Sequence, residues 1–180
     1  MTPNEQDSDV LALQIGRPLR ATSTVRGRCN LGLPIVAEVP PILDTGEPFP
    51  THYWLTCLLA HRRIARLEAE GGVQAAQTKI EADHGLAEQL ASAHARYERK
   101  RDSVLGPDAH PRPNGGVGGS SGGVKCLHAH YADHAAGNAN PVGLDVARRI
   151  GEPRCAVPCV THIDGRLERN PDWRETDAFP

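Results

Sequence analysis

The chain has 180 residues, a formal net charge of −2 at pH 7, 39% hydrophobic and 4% aromatic residues, 18 glycines and 15 prolines. This length allows one compact domain with a single core, with or without a tail, and the near-neutral charge gives no basic field to attract nucleic acid or anionic lipid. No apolar run approaches the roughly 20 residues of a membrane helix, and the polar N-terminus does not resemble a signal peptide, so we expect a cytoplasmic protein without a membrane span.

The first part of the chain contains one helical pattern and three extended ones. Residues 7–16 begin with helix-capping side chains and end at a glycine, which predicts a short helix. Residues 21–29 and 33–40 are rich in β-branched side chains and bounded by Gly and Pro, which predicts two strands joined by a turn at 30–32. Residues 51–57, with threonines and aromatic side chains, indicate a third strand.

Helical periodicity dominates the chain from residue 58 onward. Five helices are predicted, over residues 58–70, 73–83, 85–104, 124–136 and 141–150. In the helix over 85–104 the apolar residues recur at spacings of three and four, and the opposite face, which carries His94 and Arg101, is expected to be solvated. Together these patterns predict an α+β protein, with a small antiparallel sheet of about three strands and several helices packed on it.

A segment rich in Gly, Ser and Pro separates two of the predicted helices. Residues 106–123 show no periodicity, which predicts a linker that is at least partly mobile. The glycines fit neither a Walker loop nor a dinucleotide fingerprint, although Lys125 at the next helix start leaves an anion site as an alternative. We expect one domain over residues 1–164 and a polar, disordered tail over 165–180.

The five cysteines are the main chemical signal in the sequence. In a reducing compartment structural disulfides are rare and the count is odd, so the alternatives are buried thiols, metal ligands or a reactive thiol. Cys57 lies four residues before His61, and Cys155 lies four before Cys159, but neither spacing is the C-x-x-C of a zinc knuckle.

Cys126 has a second interpretation as a nucleophile. Its position at a helix start beside Lys125 predicts a lowered thiol pKa. Either His128 or His130 lies close enough in sequence to act as the general base that such a nucleophile requires.

Several short motifs resemble a bacterial family known as domain of unknown function 501, over roughly residues 10–160. They occur in the order IGRP, RCNLGLP, PFPTHYWLTC, RLEAEGG, GVKCLHAHYA, NPVG and PCV. The resemblance brings no reaction, but it implies an association, since members are often encoded beside a cell-division initiator protein and an exopolyphosphatase-like enzyme. The motifs of the family do not regularly include His61 or Cys155.

The resemblance implies a shared metal site, because the family's motifs contain four single cysteines. These are Cys29, Cys57, Cys126 and Cys159, and four soft thiolates suit either zinc or an iron–sulfur cluster. Neighbouring side chains become the candidates for a pocket, namely Arg28, Thr56, Lys125 and His128.

Two other functions stay open at this point. One is a non-catalytic interaction module of the cell-division or envelope machinery, with buried free thiols and the helix over 85–104 as the surface for a protein partner. The other is an enzyme that acts on a small anionic substrate near Cys126 and His128.

Overall fold

The structure is a computed structural model that describes residues 5–176. Its first elements are α1 (Glu5–Ile15), β1 (Thr24–Arg28), β2 (Pro34–Glu38), β3 (Tyr53–Leu55), α2 (Leu58–Ala69), α3 (Gly72–Ala82) and α4 (His84–Asp102). A short 3-10 turn (Val117–Gly119) precedes α5 (Leu127–Ala135), α6 (Pro141–Ile150), β4 (Val160–Ile163) and β5 (Arg166–Arg169). The predicted α+β class, with a three-stranded antiparallel sheet, is confirmed.

Two antiparallel sheets are present in the described range. In the first, β2 lies between β1 and β3, so that Val36 pairs with Gly27 on one side and with Leu55 on the other. The second is the β4–β5 hairpin, whose turn residues Asp164 and Gly165 both have positive φ angles, of 49° and 78°. These angles are typical of the type I′ turn that matches the twist of paired strands.

The core lies where α5 packs against the sheet and the neighbouring helices. Leu127, Tyr131 and Ala132 on α5 are at most 4% exposed. On the other side of the core the hydroxyl of Tyr97 accepts a hydrogen bond from the backbone N–H of Tyr53 at 3.2 Å, which ties α4 to β3. Because α5 is central to this packing, the residues at its N-terminal end are held by several other elements.

Asn140 fixes the position of α5 relative to α6. Its Oδ1 caps α6 by accepting the N–H of Gly143 at 2.9 Å, and its Nδ2 donates to Asp133 on α5 at 2.9 Å. The same Nδ2 lies 3.1 Å from Nδ1 of the fully buried His130. The two helices approach closely, since a Cβ atom at Gly143 would overlap the carbonyl oxygen of His130.

The second half of the predicted linker packs against α4. Val117 is fully buried, and its N–H donates to Nδ1 of His94 at 3.0 Å, while Nε2 of the same ring lies 3.1 Å from the carbonyl oxygen of Gly123. Arg101 is 0% exposed and donates to the carbonyl oxygen of Asn114 at 3.3 Å. The prediction that Arg101 lies on a solvated face is therefore wrong, because glycine-rich backbone covers that face and takes its hydrogen bonds there.

The C-terminal part of the described chain also joins the fold. Arg166–Arg169 forms β5, and Trp173 is 8% exposed, both within the segment expected to be a polar tail. Residues 177–180 of that segment lie outside the described range. Among the helices of residues 5–176, none is long and apolar enough to cross a membrane.

Candidate functional site

All five cysteines carry free thiols, and the thiols lie in two separate places. Four of them line one small cavity, which we call the thiol pocket, and these are Cys29, Cys57, Cys155 and Cys159. Cys126 lines a different cavity, which we call the Cys126 cavity.

The first two thiols of the pocket come from the three-stranded sheet. Cys29 begins the tight turn between β1 and β2, where its N–H donates to Leu33 O and its carbonyl oxygen accepts the N–H of Gly32, both at 2.9 Å. Cys57 is the residue immediately before α2, and its N–H donates to Ile35 O on β2 at 3.2 Å. Because β2 continues directly from the turn, the two cysteines meet at one end of the sheet.

The other two thiols come from the segment between α6 and β4. Asn30 holds this segment against the β1–β2 turn, since its side chain accepts the N–H and donates to the carbonyl oxygen of Cys155, both at 3.1 Å. The carbonyl oxygen of Cys159 accepts the N–H of Asn170 at 3.0 Å. The Sγ of Cys159 receives a hydrogen bond from Nε2 of Gln14 at 3.6 Å.

Burial keeps the inner thiols of the pocket protonated. Cys57 and Cys159 are 7% and 8% exposed. Burial raises the pKa of Cys57 to about 11 and also raises the pKa of Cys159, and in both cases the neighbouring Cys155 and Cys29 act in the same direction. The α2 amides of Leu59 and Ala60 oppose the shift at Cys57. A thiolate would therefore form here only if a cation replaced the proton, as happens in thiolate metal sites.

The thiol pocket is small and mostly apolar. Its volume is about 10 Å³, close to that of one water-sized sphere. Besides the four cysteines, leucines and Trp173 supply most of the wall. The chemistry of this donor set is that of a soft metal ion or cluster.

The Cys126 cavity has a different shape and different donors. It has a volume of about 250 Å³, and its lining includes His61, Lys125, Cys126 and His128. Nδ1 of His128 lies 3.9 Å from the Sγ of Cys126 and 3.2 Å from Oε2 of Glu68, which reaches over from α2. The ligand atoms of Glu68, Cys126 and His128 all lie within 4.8 Å of one another.

Each of these side chains is also held by a second contact. The other carboxylate oxygen of Glu68, Oε1, accepts the N–H of Leu127 at 2.6 Å at the start of α5. Nε2 of His128 lies 3.1 Å from the carbonyl oxygen of His61, and the two imidazole rings are 4.4 Å apart. The orientation of His128 is thus set from both ring nitrogens.

The predicted lowering of the Cys126 pKa is wrong. Burial raises the pKa of this thiol, and the carboxylate of Glu68 acts in the same direction, against the opposing amides of Ala129 and His128. Lys125 next to it is exposed. The sequence could not indicate that Glu68, 58 positions earlier, would lie beside the thiol.

The four predicted pocket residues are not brought together. Lys125 and His128 line the Cys126 cavity. Arg28 forms an ion pair with Asp7 at 2.7 Å, and the buried Thr56 donates to the carbonyl oxygen of Pro34 at 3.3 Å. The alternative base His130 is fully buried next to Asn140.

The grouping of the cysteines also differs from the predicted ligand set. That set includes Cys126 and leaves out Cys155, whereas the structure brings Cys155 beside Cys29, Cys57 and Cys159. The four-residue spacing of Cys155 and Cys159 was the sequence signal for this pair. No comparable signal marked Glu68.

Comparison with known proteins gives one match. A family model described as protein of unknown function (DUF501) matches residues 25–148, which are 124 of the 180 residues. The chain belongs to the DUF501 family. No curated protein and no solved structure matched this DUF501 chain. The matched range contains Cys29, Cys57 and Cys126, while Cys155 and Cys159 follow it.

Proposed function

We propose that this DUF501 protein binds a metal centre in the thiol pocket through the thiolates of Cys29, Cys57, Cys155 and Cys159. The observation that carries the proposal is that four of the five cysteines, from three separate parts of the chain, line a single small cavity. Buried thiols that serve only as small apolar side chains need not converge in this way. Four sulfur donors around one space are the ligand set of zinc or of an iron–sulfur cluster.

The size of the thiol pocket favours a single ion. A volume of about 10 Å³ holds one atom-sized occupant. In a tetrahedral site with zinc–sulfur bonds of about 2.3 Å, the sulfurs are about 3.8 Å apart. Among the described residues no three of the four sulfurs lie within 4.8 Å of one another, so binding of a single ion would require the thiols to move closer together.

Such a centre would act first as a structural tie. It would join the β1–β2 turn, the start of α2 and the segment before β4, which are otherwise connected by contacts such as the Asn30–Cys155 hydrogen bonds. The free energy of metal binding then adds to the free energy of folding. A reducing compartment, such as the expected cytoplasm, keeps these thiols free to bind metal.

The first experiment is to purify the protein without oxygen and to measure zinc, iron and acid-labile sulfide together with the visible spectrum. We expect zinc and a colourless protein. Iron with sulfide and a brown colour would mean that the four thiolates hold an iron–sulfur cluster and not a single zinc ion. A metal-free protein that keeps its fold in chelator would overturn the proposal and favour the interaction module.

Two matched variants identify the ligands. Cobalt(II) in place of zinc reports the number of thiolates through the strength of its sulfur-to-metal absorption. Cys155→Ser should abolish the four-thiolate spectrum, whereas Cys126→Ser should leave it unchanged. Loss of the four-thiolate spectrum in Cys126→Ser but not in Cys155→Ser would instead support the ligand set predicted from the sequence, which contains Cys126 and lacks Cys155.

A further inference from the structure

We propose that Glu68, Cys126 and His128 form a second and separate site, which binds one zinc-type divalent ion and leaves one coordination position open to the Cys126 cavity. The proposal shares no residue with the thiol pocket. Carboxylate, thiolate and imidazole are all ligands that zinc accepts. Three protein ligands with an open fourth position are typical of zinc sites that bind a further ligand.

The distances between the donor atoms are already close to those of a tetrahedral site. Zinc bonds of about 2.3 Å to sulfur and about 2.0–2.1 Å to nitrogen and oxygen place sulfur and nitrogen about 3.6 Å apart, and nitrogen and oxygen about 3.4 Å apart. The corresponding separations are 3.9 Å from Cys126 Sγ to His128 Nδ1, and 3.2 Å from that Nδ1 to Glu68 Oε2. Small movements of the side chains are enough to admit the ion.

Contacts behind the ligands hold them in binding orientation. The Nε2–H of His128 can donate to the carbonyl oxygen of His61, which leaves Nδ1 as the free nitrogen that faces Cys126 and Glu68. Oε1 of Glu68 is occupied by the N–H of Leu127, so Oε2 is the oxygen directed at the site. A hydrogen bond from the second ring nitrogen to a backbone carbonyl is the usual support of a metal-binding histidine. An ordinary ion pair between Glu68 and His128 does not account for the nearby thiol.

The open side of the site leads into a space large enough for a small ligand. Cys126 and His128 line the cavity of about 250 Å³, whereas Glu68 is not part of its wall. The ligand side chains are partly covered, with exposed fractions of 17% for His128 and 26% for Glu68. Lys125 adds a cation to the wall, so an anion is the class of ligand that suits the open position.

The test is a cobalt(II) titration of the protein as purified, with its thiol pocket in its native state. We expect one additional ion, with the weak sulfur-to-metal absorption of a single thiolate, which Cys126→Ser removes. Glu68→Gln retains the acceptor for Leu127 and loses the carboxylate, so it should weaken binding by more than the roughly 10–100-fold cost of losing an outer-shell partner. Glu70→Gln, at the exposed residue directly after the same helix, is the matched control and should bind cobalt as the unmodified protein does.

Absence of the additional ion, or equal affinity in Glu68→Gln and Glu70→Gln, would overturn this second site. Neither result affects the four-thiolate spectrum, so the two proposals fail independently. Azide is the probe for the open position, and it should shift the cobalt spectrum of this site alone. An unchanged spectrum with azide would show that the fourth position is closed.

Discussion

Cys57 and Cys126 occupy the same local position in two helices, and yet their surroundings differ in almost every respect. Each is the extended residue immediately before its helix, α2 or α5, and neither side chain forms a capping hydrogen bond. Cys57 meets three other thiols in a cavity of about 10 Å³, whereas Cys126 meets Glu68 and His128 beside a cavity of about 250 Å³. A cysteine at the start of a helix therefore takes its chemistry from its tertiary partners.

The two surroundings suit different roles for a metal. Four sulfur donors in the small, mostly apolar thiol pocket would leave no position for another ligand, which is typical of structural sites. The proposed set of sulfur, nitrogen and oxygen donors beside the Cys126 cavity would leave one position free.

The largest effect is expected from Cys57→Ser. Thiolate metal sites contribute on the order of 10 kcal/mol of apparent binding free energy in small zinc domains, so loss of one ligand should strongly lower the melting temperature. Cys126→Ser should cost only about 1–3 kcal/mol of unfolding free energy, as for an ordinary half-buried side chain. Thermal unfolding with and without chelator measures the melting temperatures of both variants. Chelator should lower the melting temperature of the unmodified protein to that of Cys57→Ser. Similar melting temperatures for the two serine variants would contradict the distinction between the two sites.

A smaller loss of stability is expected from Asn140→Ala. This variant distinguishes the two sites, because only the second site depends on the position of α5. The change removes the N-cap of α6, which accepts the N–H of Gly143, and a donor to the buried Asp133. We therefore expect the free energy of unfolding, measured in urea, to fall by about 1–3 kcal/mol. Because Cys126 directly precedes α5 and His128 lies on it, cobalt affinity at the second site should fall while the metal in the thiol pocket stays. The exposed Gln89→Ala is the control, and equal weakening of both sites would contradict the prediction.

The smallest effect concerns the pH dependence of the glycine-rich segment that packs next to α5. Burial lowers the pKa of His94, whose Nδ1 must stay unprotonated to accept the N–H of Val117. The unfolded chain therefore takes up this proton at a higher pH than the folded one, so stability should fall as the pH drops below about 6.5. The buried Asp133 partly opposes the shift, and the His130 ring lies 5.7 Å from that of His94.

Hydrogen exchange measures this effect. After correction for intrinsic rates, the Val117 amide should exchange faster at pH 5.5 than at pH 7.5. His94→Gln should remove that difference, and a variant that retains it would show that another group is responsible.

Much of the fold could be predicted from the sequence because its signals are local. The strands of the first sheet and the six helices within residues 5–176 follow from periodicity, caps and the Gly and Pro boundaries. The β4–β5 hairpin was missed, although Asp164–Gly165 is a strong turn signal, because β5 is almost entirely polar and exposed. The burial of Arg101 was also missed, since its partners belong to a segment without periodicity.

The candidate sites were only partly predictable because they depend on contacts between distant residues. The cysteines were recognised from the sequence as the candidate ligands, but their grouping depends on hydrogen bonds such as those between Asn30 and Cys155, 125 positions apart. Glu68 lies on α2, and nothing in its local sequence distinguishes it from a solvated carboxylate. Spacing along the chain therefore identified candidate ligands without identifying which of them share a site.

The thiol pocket joins early and late parts of the chain, and this affects its assembly during synthesis. Arg169 on β5 donates to the carbonyl oxygens of Leu13 and Gln14 at the end of α1, so the first and last elements are neighbours. Cys29 and Cys57 leave the ribosome roughly 100 residues before Cys155, which at about 5–20 residues per second is a delay of about 5–20 s. In the proposed metal centre, Cys29 and Cys57 would wait without their partners during that interval, so the ligand set would be complete only after Cys159 has been synthesised.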